Sequence, residues 1–282
     1  MLGSGLINRL IFKNTGLKLR YISCTPRYYY VRNLIATILL VFNICTVFAQ
    51  SLNKENQKIV ADFISNVRSG NREKLCDSIF FPFRRRYPIP DIKNREEFLR
   101  RYSEIFDDSL TKMILNSDPA KDWSEMGWRG IMLFNGELWL DSDGWLTGVN
   151  YQSNFEIGEY KRLIKIEKGN LYEPIRKFET PVCILETSKY RIRIDDMGDW
   201  HYRYVSWPLK SKMSDKPDLI IENGQSEPEG TGGNEKFTFK NAGYVYECFI
   251  INMGEDGSPP AKLTIFKGDK AILSESANML RN

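Results

Sequence analysis

The sequence predicts an α+β chain: a curved antiparallel sheet wrapped by helices in the first half, and a small all-β sandwich or barrel in the second. Three observations carry this. Apolar residues recur at three- and four-residue steps at Ile59, Val60, Phe63, Ile64 and Val67, which makes one buried helix face. Near Trp128 the pattern switches to period two, the spacing of a strand. Turn dipeptides then recur at short intervals, first Asn135-Gly136 and Asp143-Gly144, whose residue types tolerate positive φ. The divisions that follow are a leader at 1–49, an α+β domain at 50–175 and an all-β domain at 180–282.

Positions 31–49 have the layout of a secretory signal peptide: basic Arg32, an apolar run at 34–42, and Val47-Phe48-Ala49 ahead of Gln50. The run is shorter than the roughly 20 apolar residues a membrane span needs, and Asn43 interrupts it. Ile44 before Cys45 is unsuited to lipoprotein acylation, so cleavage after Ala49 is predicted, with a retained anchor as the alternative. Positions 1–30 hold five of the six basic residues before Gln50, no acid, and Tyr28-Tyr29-Tyr30, so Val31 is predicted as the true initiator. A precursor peptide from positions 1–20 in a mass spectrum would overturn that start. Of 40 Lys and Arg, 34 remain after cleavage against 36 Asp and Glu, and the formal charge moves from +4 to −2. The basic excess belongs to the leader, and nucleic acid is not an expected partner.

The opening helix spans 53–68 and ends at Ser69-Gly70; Asn71 caps a short second helix carrying Leu75 and Cys76. A strand is predicted at 80–86, before Pro88 and Pro90. Asn94 precedes a helix with Phe98, Leu99, Tyr102, Ile105 and Phe106 on one side, and a shorter helix covers 109–115. Strands follow at 128–134, 137–140 and 145–151, then an amphipathic helix at 156–166. The second half reads as strands at 182–186, 190–194, 200–207, 219–222, 236–240, 244–251, 261–267 and 271–274. Positions 224–234, rich in Gly and Glu, are expected to form a mobile surface loop. Cys183 and Cys248 sit in apolar strand runs, either as a disulfide, which export permits, or as two buried thiols. No Cys or His spacing suggests a metal site.

The segment Asp62-Phe63-Ile64-Ser65-Asn66-Val67-Arg68-Ser69-Gly70-Asn71, continuing to Leu75, reads as helix, Gly-Asn step and second helix. With the helix at 95–106 and the strands at 128–151, it resembles the NTF2-like (SnoaL-like) cone fold. The helix at 156–166 departs from that family's usual ending, a strand. The resemblance implies a sheet curved around a conical pocket, but no single activity. Such domains serve as isomerases, dehydratases and cyclases, and also as non-catalytic binding modules. Catalytic members place an Asp/His or Tyr/Asp pair in the cone. No such pair carries over, because the only histidine, His201, lies in the second half. That half resembles no family.

His201 would have to serve any Ser206 or Cys248 nucleophile, and neither lies in a nucleophile elbow. Asp141-Ser142-Asp143-Gly144 and Asp195-Asp196-Met197-Gly198-Asp199 lack the closing Glu of a calcium loop and read as turns. Gly230-Thr231-Gly232-Gly233-Asn234 lacks the Lys-Ser/Thr of a phosphate loop. Arg84-Arg85-Arg86-Tyr87 reads as a solvated strand end whose arginines pair with nearby acids; contact with lipid headgroups or wall polymers is the alternative.

The aromatics supply the candidate ligand-binding residues. Trp128 and Trp139 would wall a concavity, with Arg129 or Glu137 at its rim, unless the tryptophans are simply core. Trp200, Tyr202 and Tyr204, with Trp207, form a second row: exposed, it would meet carbohydrate or protein, and buried, it would be core. No catalytic residue, metal or cofactor is expected. These readings predict an exported, periplasmic or extracellular, non-catalytic module that binds a protein or an envelope glycan, with no membrane span after cleavage. The alternatives are a small-molecule enzyme, isomerase- or hydrolase-like, using a Glu or Asp in the cone, and an inhibitor of an envelope hydrolase presenting 224–234.

Overall fold

A computed structural model describes residues 52–281, so the predicted leader lies outside them. Helix α1 (Lys54–Arg68) begins where the Asn53 side chain accepts from the Asn56 amide, and it buries Val60, Phe63, Ile64 and Val67. Asn71, Asn94 and Asp107 do the same for α2 (Arg72–Cys76), α3 (Arg95–Ile105) and α4 (Asp108–Asn116). Each cap satisfies an amide that the first helical turn leaves without a partner.

A curved antiparallel sheet follows, in the order β1 (Trp123–Glu125), β2 (Ile131–Leu133), β3 (Leu138–Leu140), β4 (Leu146–Val149). Its strands are shorter than predicted, and β1 was not foreseen. The expected strand at 128–134 loses its first residues to a 3-10 turn at Gly127–Arg129. Gly130 then has φ +91, and a Cβ there would lie 2.1 Å from the Leu140 carbonyl oxygen, so only glycine fits the close approach of β2 to β3. The strand expected at 80–86 is also corrected. It contributes only isolated bridges, Phe83 to Ile92 and, just before it, Ile79 to Leu146, because Pro82 and Pro88 have no amide to give a ladder. Ile131, Leu133, Leu138 and Leu140 turn inward against α1, α3 and α4, and Phe63 meets Trp123 edge-on at 6.1 Å. Helix α5 (Asn154–Asn170), capped by Ser153, runs longer at both ends than predicted and leads to a 3-10 turn at Glu173–Ile175.

The second half is a closed eight-stranded barrel. Its strands are β5 (Thr180–Glu186), β6 (Tyr190–Gly198), β7 (His201–Pro208), β8 (Leu219–Glu229), β9 (Asn234–Asn241), β10 (Tyr244–Ile250), β11 (Ala261–Lys267) and β12 (Lys270–Leu280). Each pairs antiparallel with the next, and β12 returns to β5 through Asn278–Glu186, Met279–Leu185 and Leu280–Ile184. Closure leaves no free edge, which settles the expected sandwich or barrel as a barrel. Eight strands enclose an interior just wide enough for side chains to fill it, here with Leu185, Ile192, Ile194, Tyr204, Phe239 and Leu263 among others.

The expected loop at 224–234 is largely strand. Gln225 to Glu229 pair with Thr238 to Asn234, and only a tight turn remains. Across that ladder Lys236 reaches Glu227 and Glu229, and Gly224 lets the Phe239 ring approach within 2.2 Å of where a Cβ would be. Cross-strand partners outweigh the weak strand preference of Gly and Glu. Cys183 and Cys248 are free thiols inside the barrel. Burial pushes the Cys183 thiol up to about 12, and Cys248 is pushed up for the same reason.

A third apolar cluster joins the halves: Leu171, Ile175 and Phe178 cover Val205 and Trp207 on the outer face of β7. Under the same cover lie charged groups. Arg193 donates from Nε to Asp195 (2.7 Å) and from Nη1 to Glu167 on α5 (2.9 Å), and its guanidinium faces the Phe178 ring at 4.8 Å. Arg203 donates from Nη2 to the other Asp195 oxygen (2.7 Å) and to the Ile175 carbonyl (2.6 Å). The Tyr87 hydroxyl donates to Glu167 at 2.6 Å, and burial with that neighbouring carboxylate pushes the phenol well above its usual range.

Candidate functional site

The arginine run sits where the two halves meet. Arg85 is buried and fully used: Nε and Nη2 fork onto Glu156 at 2.6 and 2.5 Å, and Nη1 donates to the Val149 carbonyl at 2.7 Å. Glu156 is held for this role in the first turn of α5, whose cap Ser153 also donates to the Glu104 carbonyl of α3. Asp91 is the second acid. It accepts from the Arg85 amide (2.9 Å), from Arg84 (2.6 Å) and, at 3.4 Å, from Arg281 beyond the end of β12.

The remaining arginines are open. Arg84 is 62% exposed at its side chain and gives only Nη1 to Asp91. Arg86 is exposed, lies 4.1 Å over the Tyr160 ring, and touches Gln152 at 3.5 Å. Arg281 uses only Nη1, for Asp91 and, at 3.5 Å, the Arg85 carbonyl; its Nε and Nη2 have no partner among the described residues. These groups line a cleft of about 380 Å³ with Asn150 and Gln152, which adjoins a second hollow of about 400 Å³ bounded by Asn252, Pro260 and Met279. Arg84, Asn252 and Arg281 border both. Among the described residues, four arginines face two carboxylates, an excess of two positive charges. Guanidinium forks match carboxylate and phosphate geometry, so the arrangement can hold an anion.

The residues singled out from the sequence are dispersed. Trp128 lies on the 3-10 turn and is 59% exposed, so it lines no inner sheet face. Arg129 stands over the Trp139 ring at 5.9 Å, and Trp139 donates to the Gly136 carbonyl at 3.0 Å. Glu137 receives the Asn150 and Tyr151 amides at its backbone carbonyl. The second aromatic row is divided. Trp200 occupies the β6–β7 turn at φ +63 and is 85% exposed, while Tyr202 and Tyr204 point into the barrel against Phe237 and Phe239. Trp207 points out, because alternate residues of a strand face opposite sides. His201 is exposed, and its Nδ1 lies 2.6 Å from the carbonyl oxygen of Asp199 in its own turn.

Comparison with known proteins finds no matching family model, no similar curated protein and no similar solved structure. The cleft therefore stands on its own chemistry. The Arg84–Arg86 run was visible in the sequence, and its pairing with acids is observed for Arg84 and Arg85. What sequence reasoning missed is Arg281, which lies 190 positions from Asp91, and the amides of Asn150, Gln152 and Asn252. No local pattern marks them. Among the described residues, no helix is long and apolar enough to cross a membrane, and no group of three or more His, Cys, Asp or Glu is placed to hold a metal.

Proposed function

We propose that this protein is an exported, non-catalytic binding module that holds an acidic glycan of the cell envelope in the arginine-lined cleft. The observation that carries this reading is the excess of guanidinium over carboxylate in an open, polar hollow. In the same cleft both acids are already paired with arginine. The inner face of the sheet, where a cone-pocket enzyme would work, is packed with Ile131, Leu133, Leu138, Leu140 and Trp123. An NTF2-like origin for 50–175 belongs to this proposal, with the cone filled and the binding surface moved to its junction with the barrel.

Two measurements test it. Mass spectrometry of the protein from an envelope fraction is expected to place its N-terminus at Gln50; a cytosolic chain that keeps positions 31–49 contradicts export. Purified 50–282 is expected to bind acidic glycans and not neutral ones. Equal retention of both classes, or of neither, removes the proposal.

A further inference from the structure

We infer that the cleft and its neighbouring hollow act as one groove for a chain of acidic sugar or polyol units, with one acidic group seated at the divide between them. This deepens the anion-binding reading and rests on it. The two hollows, about 380 and 400 Å³, share Arg84, Asn252 and Arg281 at their border, so they lie side by side within reach of one extended ligand. Each is larger than a lone carboxylate or phosphate requires.

The divide is where two partly engaged guanidinium groups converge, each using only Nη1. Arg84 approaches from the α+β half and Arg281 from the barrel, and both touch opposite oxygens of Asp91. The 3.4 Å contact of Arg281 is long for a charged pair, and an incoming anion replaces it without stranding Asp91, which keeps Arg84 and the Arg85 amide. On one side of the divide Arg86 offers a second positive charge to the first hollow, beside Gln152. Amide side chains suit hydroxyls. Asn252 donates to the Gly233 carbonyl at 2.5 Å, and its Oδ1 has no partner among the described residues. Of the rings that the arginines lie over, Phe83 is buried beneath Arg85 and Tyr160 is covered by Arg86, so recognition here runs through charge and hydroxyls rather than sugar stacking.

The test is calorimetry on residues 50–282 with a uronate monosaccharide, a uronate tetramer, a phosphodiester-linked polyol tetramer and a neutral tetramer. One acidic tetramer is expected to bind at least about tenfold more tightly than the monosaccharide, and which one distinguishes a carboxylate from a phosphate source. Arg281→Gln and Arg86→Gln are each expected to weaken that tetramer about tenfold or more, the loss of one charged hydrogen bond. Thermal melting serves as the folding control for both variants. If the monosaccharide binds as well as the tetramers, or if Arg281→Gln changes nothing, the groove is overturned while anion binding stands. If the neutral tetramer binds equally, or no acidic probe binds, both readings fall.

Discussion

The arginine cluster on the barrel face and the one at the junction differ in charge balance and access. On the outer face of β6 and β7, Arg193 and Arg203 meet Asp195 and Glu167, two against two, with all but Glu167 almost wholly buried. At the junction, Arg84, Arg85, Arg86 and Arg281 meet, among the described residues, the carboxylates of Asp91 and Glu156, and three of the arginines reach solvent. The first cluster is balanced in charge and clamps α5 to the barrel, although Arg193 Nη2 and Arg203 Nε are buried without a partner among the described residues. The second keeps donors to spare. Desolvation makes an unpaired buried charge expensive, so a balanced buried cluster is structural, whereas an unbalanced exposed one is available to a ligand.

The sharpest way to break this contrast is Asp195→Ala. It strands two buried guanidinium groups and is expected to destabilise the fold by about 3–5 kcal/mol in urea titration. A loss below about 1 kcal/mol would mean that the barrel-face cluster holds nothing together. Next is Glu156→Gln, which breaks the Arg85 fork and is expected to cost about 3 kcal/mol, at the low end of that range because Arg85 keeps the Val149 carbonyl.

The barrel carries a further mark, alkaline sensitivity. The Cys183 thiol is raised from 9.0 to about 12 by burial, so it stays protonated in the fold while the unfolded chain ionises. Its contribution to stability is complete below pH 9 and is lost as pH rises toward about 12. Circular dichroism should show that decline, and Cys183→Val should reduce it, leaving the part that Cys248, Tyr87 and Tyr204, raised in the same direction, contribute. The smallest expected effect belongs to the open arginines. Arg86→Gln should shift stability by no more than about 0.5 kcal/mol while weakening anion binding. Binding should also fall from 50 to 500 mM salt, since exposed charges are screened and the buried cluster is not.

Much of the fold was legible because its signals are local. Val60, Phe63, Ile64 and Val67 announce α1 by spacing, and Asn53, Asn71 and Asn94 cap helices near where the pattern starts. The site was legible only as the bare run Arg84–Arg86. Where local signals misled, a distant partner had decided the outcome. Gly224 to Glu229 look like a loop in isolation, but β9 supplies their ladder. Trp128 reads as strand, but the approach of Leu140 to Gly130 turns the chain before β2.

By itself the sequence determined the helices, the antiparallel character of both halves and the excess of arginine at 84–86, since each depends on neighbours within a few residues. Only the tertiary structure decided that β12 closes on β5, that Tyr202 and Tyr204 fill the barrel, and that Arg281 comes to Asp91. Those outcomes depend on contacts between residues far apart in the chain. The energy of such contacts is set by burial and charge balance in three dimensions, which no window of sequence contains.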